Sequence, residues 1–166
     1  SILIYAEYAE GKFKKAAFEL ASYAKKVVKV RTTVTAVTIN AGDVSELSKY
    51  GVDKVLKVNN DELSGFTAKA YADVINQAAQ KENIKLLLLS STTDSVYLSS
   101  LVAVALEAGY ASNVVGLPVS TSPFQVKRTA FSNKAFMITE INTAVNVLGL
   151  ANNSFGISEN ASTLTQ

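Results

Sequence analysis

The chain has 166 residues, with 16 Lys+Arg against 14 Asp+Glu, 48% hydrophobic side chains, and no Cys and no His. That is one domain's worth of chain, able to bury a core and far from the composition of disordered segments. The zeros exclude a Ser-His-Asp relay, an imidazole base, thiol redox chemistry and the Cys/His ligand sets of zinc and iron–sulfur sites. A net charge of +2 gives no electrostatic footprint for nucleic acid. No stretch approaches the roughly 20 apolar residues that cross a bilayer. The opening Ser1-Ile2-Leu3-Ile4-Tyr5-Ala6-Glu7 lacks a basic leader and reads as a strand, not a signal peptide. Missing cysteines fit a reducing, cytoplasmic setting, in which the glycosylation acceptors Asn152 and Asn160 would be idle.

Short apolar runs alternate with stretches of helical period, the pattern of repeated strand–helix–strand units. A first strand at 2–6 precedes a helix whose apolar stripe is Phe13, Ala17, Leu20, Ala24 and Val27, leaving Lys14, Lys15, Lys25, Lys26 and Lys29 mainly to solvent. A β-branched second strand at 33–39, a short helix at 44–50 and a third strand at 54–58 follow. An amphipathic helix at 67–81 leads to Leu86-Leu87-Leu88-Leu89, whose lack of polar alternation predicts a central parallel strand buried on both faces. Asp94 or a neighbour caps the next helix, apolar from 98 to 106 and ended by Gly109. Beyond Asn113 the chain is broken by Pro118 and Pro123, and short strands at 124–128, 136–139 and 144–148 read as antiparallel additions at the sheet edge. The fold class expected is α/β, a doubly wound, mainly parallel, Rossmann-like sheet in the order 3-2-1-4-5, with antiparallel edge strands at its C-terminal end. Residues 1–157 form one domain and 158–166 a polar tail or linker.

In that order the crevice lies beyond the first and fourth strands, between the loops Glu7-Tyr8-Ala9-Glu10-Gly11 and Ser90-Ser91-Thr92-Thr93-Asp94. Ser91, Thr92, Thr93 and Asp94 are the candidate nucleotide-binding residues, since hydroxyls at a helix N-terminus favour phosphate; the plain alternative is a helix cap and turn. Neither a dinucleotide fingerprint nor a P-loop is present. The run Lys12, Lys14, Lys15, Lys25, Lys26 and Lys29 is either a docking patch for an acidic partner or a solvated helix face. Glu7 and Glu10 share one loop as a candidate carboxylate pair, or simply face solvent. No catalytic residue and no metal ligand set is expected.

Several segments together resemble one family. Leu3-Ile4-Tyr5-Ala6-Glu7 with Gly11-Lys12-Phe13-Lys14, then Gly51-Val52-Asp53-Lys54-Val55-Leu56, then Ala111-Ser112-Asn113-Val114-Val115, and then the segment from Phe124 to Ala135, are similar in order and spacing to the N-terminal domain of electron transfer flavoprotein alpha subunits. The chain departs from that family's pattern at Thr93-Asp94-Ser95-Val96-Tyr97-Leu98-Ser99-Ser100, where a helix arginine is replaced by Ser, and at Ser132 and Lys134. The resemblance implies a heterodimer with a beta subunit that takes electrons from dehydrogenases through FAD. The flavin would be held mainly by a C-terminal domain beyond the linker, with this domain as scaffold and subunit interface and no catalytic site of its own. The competing expectation is a free-standing AMP- or ATP-binding α/β domain of the stress-protein type; a small hydrolase is disfavoured by the missing His.

Overall fold

The computed structural model describes residues 1–28, 32–130, 134–159 and 164. In chain order the elements are β1 (Ile2–Tyr5), the two-residue strands β2 (Tyr8–Ala9) and β3 (Lys12–Phe13), α1 (Lys15–Val27), β4 (Val34–Ile39), β5 (Lys54–Val58), α2 (Ala68–Lys81) and β6 (Leu86–Ser90). Then come α3 (Thr93–Ala105), β7 (Gly109–Val114), β8 (Ser120–Thr121), β9 (Phe124–Ala130), β10 (Ala135–Ile141) and β11 (Asn146–Leu150).

Strand alternation sorts side chains into two apolar layers. Ile2, Ile4, Leu86 and Leu88 join Ala17, Leu20, Ala21 and Ala24 of α1 on one face of the sheet. Leu3, Tyr5, Leu87 and Leu89 join Ile75 and Ala79 of α2 and Leu98 and Val102 of α3 on the other. Both faces of β1 and β6 are therefore covered, and polar alternation is absent because no side of these strands meets water.

The parallel strands run β5, β4, β1, β6, with crossovers to either side of β1, so the 3-2-1-4 part of the expected order stands. The strand expected at 144–148 as an antiparallel edge addition is different. β11 runs parallel to both neighbours and is inserted between β6 and β7. Its residues Val147, Leu148, Gly149 and Leu150 are all buried, the pattern of an interior strand. Gly149 permits the fit, since a Cβ there would stand 3.2 Å from both Ser91 Oγ and Tyr110 OH. β7 itself escaped the sequence because Gly-Tyr-Ala-Ser-Asn-Val carries little β-branching. The other two late strands are the expected antiparallel pair: β9 and β10 pair along their whole length at the sheet's end.

Two helix expectations also change. Residues Ser45–Tyr50 form a 3-10 helix, closed by Gly51 at φ 98°. α3 stops at Ala105, and Gly109 begins β7 instead of ending the helix. The expected tail starts against the body: Ser158 N–H donates to Ser22 Oγ at 2.9 Å, Phe155 meets the Tyr23 ring edge-on at 4.8 Å, and Leu164 packs on the α1 side. Lys29 of the basic run, Phe131, Ser132 and Asn133 of the family segment, and Asn160 with most of the tail lie outside the described residues.

Gly109 is the tightest point of this arrangement. A Cβ there would collide with Ile141 Cγ2 and stand 2.8 Å from Thr143 Oγ1, which accepts the Gly109 N–H. Gly109→Ala is expected to cost about 1–3 kcal/mol by overpacking, read as a lower urea midpoint with an unchanged slope; an unshifted midpoint would show that the β10–β11 connection gives way freely.

Candidate functional site

The strand order reverses between the parallel strands β1 and β6, and the chain just after β1 makes a tight hairpin. Glu10 at φ 54° and Gly11 at φ 79° form the turn between β2 and β3, the two-residue geometry whose twist suits paired strands. Lys14 N–H donates to the Glu7 carbonyl at 2.9 Å, closing the hairpin and bringing the Lys14 side chain beside the Glu7 carboxylate. Glu7 then draws in the opposite loop: its Oε1 accepts from Ser90 Oγ at 2.8 Å and Ser95 Oγ at 2.7 Å, while Oε2 accepts from Lys14 Nζ at 3.1 Å. Burial pushes the Glu7 carboxyl upward, but the Ser95, Ser90 and Lys14 hydrogen bonds and the Lys14 charge outweigh it and hold the group below its ordinary value.

The loop singled out for phosphate is arranged around that carboxylate. Thr92 is the N-cap of α3, its Oγ1 accepting from Ser95 N–H at 3.3 Å. Ser91 Oγ is buried without a hydrogen-bond partner, whereas Thr93 and Asp94 are exposed in the first helical turn. Asp94 places a second negative charge at the positive end of the helix dipole. The two loops do meet, but through Glu7.

Together they wall a crevice of about 1190 Å³ that extends over the C-terminal ends of β4 and β5. Sequence reasoning overlooked that extension. Asn40 and Asn60 clasp it, Asn40 Oδ1 accepting from Asn60 N–H at 2.7 Å and Asn40 Nδ2 donating to the Asn60 carbonyl at 2.9 Å. Asp61, Glu62, Phe66 and Tyr71 line the far wall. The polar run Asn59-Asn60-Asp61-Glu62 straight after the third strand is the signal in the sequence, since the loop after the third parallel strand opens on the same end of the sheet as those after the first and fourth. Glu7 and Glu10 both line the crevice, Glu10 from the exposed hairpin turn. Among the described residues, no three carboxylates are grouped to hold a metal ion.

The lysine run makes internal ties as well as meeting solvent. Lys14 pairs with Glu7, Lys15 Nζ donates to Asn153 Oδ1 at 2.8 Å, Lys25 lies 3.9 Å from Asp53, and Lys26 sits 5.0 Å from the centre of the Phe155 ring. No helix among the described residues is long and apolar enough to cross a membrane.

In comparison with known proteins, residues 2–165 match the family described as electron transfer flavoprotein domain. The chain is 28% identical over 138 residues to the electron transfer flavoprotein subunit alpha of Bacillus subtilis, covering 81% of this chain and 42% of that protein. It is 27% identical over 127 residues to the acryloyl-CoA reductase electron transfer subunit beta of Anaerotignum propionicum, covering 74% and 35%. Subunit LctC of the lactate dehydrogenase (NAD(+),ferredoxin) of Acetobacterium woodii is 25% identical over 148 residues, covering 86% and 35%. The chain thus spans less than half the length of these relatives.

Glu7 is the residue to test. Its folded-state pKa lies below the unfolded value, so its contribution to stability is complete above the ordinary glutamate range near about 4.3 and is lost as pH falls through the lower folded value. Glu7→Gln is expected to lose about 1–3 kcal/mol at neutral pH, and its deficit against the unchanged chain should shrink on acidification. Urea unfolding at neutral pH and well below the glutamate range measures both; a deficit that stays constant with pH would contradict the role given to the charge.

Proposed function

The chain belongs to the electron transfer flavoprotein domain family, and on that premise we propose that it is the N-terminal scaffold and subunit-interface domain of an alpha-type subunit. The complete protein would be an FAD-containing, cytoplasmic heterodimer with a beta subunit, carrying electrons from dehydrogenases to an acceptor. This domain would supply a docking frame and no catalytic site.

The observation that carries the reading is β10. It is the outermost strand of the sheet, paired only on its β9 side among the described residues. Three consecutive residues, Phe136 at 62%, Met137 at 44% and Ile138 at 54% exposure, leave both faces of the strand apolar and open. Leu117 and Val119 on the approach to β8 are exposed as well. A soluble monomer blunts such an edge with charge, proline or a covering loop. Here the edge strand carries one charge, Glu140, past its apolar half, and one cation, Lys127, over the Phe136 ring at 4.3 Å, and the rest of that apolar half is open, which suits a permanent subunit contact.

The crevice does not fit the flavin dinucleotide. A pyrophosphate needs free N–H groups and positive potential, whereas the α3 N-terminus is capped by Thr92 and faced by the Glu7 and Asp94 carboxylates. The reading therefore leaves the flavin to the part of an alpha subunit beyond this domain. The same geometry disfavours a free-standing AMP- or ATP-binding domain.

Mixing the chain with a beta-type electron transfer flavoprotein subunit and following the complex by size exclusion with light scattering tests the proposal. Ile138→Asp is expected to weaken association by about 2 kcal/mol, roughly thirtyfold, with an unchanged circular dichroism spectrum because Ile138 is exposed. Absence of any complex with the unchanged chain, or equal affinity for the variant, would overturn it.

A further inference from the structure

The crevice has a use that the subunit reading does not require. Five carboxylates line it, from Glu7, Glu10, Asp61, Glu62 and Asp94, against one cation, Lys14, which is already paired with Glu7. Asp61, Glu62 and Asp94 are exposed and accept no side-chain hydrogen bond from a described residue, so their oxygens face the open volume unoccupied by protein donors. Phosphate is repelled by such a field, and a hard metal ion finds no set of three converging acids among the described residues.

A second observation is independent of the acids. Tyr5 is only 7% exposed, packed between β1 and the α2–α3 layer, and lines the crevice. Its hydroxyl has no hydrogen-bond partner among the described residues, and Glu7, Tyr71 and Asp94 line the same crevice. The ring is buried, but the hydroxyl is not among the enclosed unpartnered oxygens, unlike that of Tyr110, so it opens on the crevice, where a ligand group can replace water. The far wall adds aromatic surface: Phe66, 44% exposed, meets Tyr71 edge-on with ring centres 5.1 Å apart.

Spread carboxylates beside aromatic rings are the surroundings in which ammonium and guanidinium groups are held, by charge-assisted hydrogen bonds and by attraction to the ring faces. We propose that the crevice over the C-terminal ends of β1, β4 and β5 binds an organic cation, its N–H donors meeting the carboxylates of Asp61, Glu62 and Asp94 and the accepting oxygen of the Tyr5 hydroxyl. The site lies at the other end of the sheet order from β10, so it stands or falls separately from the subunit interface. The cation is either a free di-amine-type metabolite or the Arg or Lys side chain of a bound polypeptide.

Calorimetric titration of the chain at low ionic strength distinguishes these, with agmatine as the free cation, a capped Gly-Arg-Gly peptide as the polypeptide source and AMP as the anionic comparator. Saturable binding of agmatine or the peptide is expected, the tighter of the two identifying the source. The affinity should fall about tenfold or more in the doubly substituted Asp61→Asn, Glu62→Gln chain, whose exposed positions leave folding intact, and several-fold in Tyr5→Phe. AMP should give no heat. Failure of both cations to bind, binding of AMP in their place, or equal affinity in the Asp61→Asn, Glu62→Gln chain would overturn the proposal.

Discussion

Glu7 gathers three donors from three separate pieces of chain: Lys14 from the end of its own hairpin, Ser90 from the end of the central strand and Ser95 from the first turn of α3. A partly buried carboxylate is costly unless its oxygens are satisfied, and here both oxygens are. The consequence is structural. Strand β1, strand β6 and helix α3 meet at one charge, at the point where the strand order reverses and where α/β proteins commonly place a ligand. Because that charge is negative and provided by the chain itself, the helix end that could hold a phosphate is turned toward other work.

The sheet's middle is sealed by leucines on both faces, and its first edge, β5, carries a salt bridge of 2.7 Å between Lys54 and Glu82 that dresses it with charge. The opposite edge is treated in the reverse way. Arg128 anchors β9 to β7 through Ser112, donating from Nε to the carbonyl at 3.1 Å and from a terminal nitrogen to Oγ at 3.3 Å, while β10 beyond it is left apolar on both faces. This firmly attached, uncovered edge is the surface that the proposed subunit contact would use.

Much of this was legible in the sequence, for physical reasons. The four leucines at 86–89 read as a strand buried on both sides because they lack polar alternation, and the spacing of Ala17, Leu20 and Ala24 reads as one helix stripe. The crevice between the loops of the first and fourth strands followed from the crossover rule. The interior place of β11 was hidden because it is assigned by nonlocal pairing: Asn146-Val147-Leu148-Gly149-Leu150 follows two antiparallel strands in sequence and reads as a third, until the gap between β6 and β7 claims it. The Glu7 network was half legible. The acid and the hydroxyls were each noticed, but residues 83 and 88 positions apart had to be brought together before their partnership appeared. The far wall of the crevice was marked only by the polar run at 59–62, and that it faces Tyr5 depends on the side-by-side pairing of β1, β4 and β5.

On the proposed reading the loops of the first and fourth parallel strands are tied to each other through Glu7, while the β10 end takes the other subunit. Amide hydrogen exchange, measured on the chain alone and with a beta-type electron transfer flavoprotein subunit, tests it most directly. The account requires slowed exchange at Phe136, Met137 and Ile138 in the complex, with the crevice rim at Glu10 and Asp61 exchanging as before. Protection at the rim with β10 unchanged would contradict it.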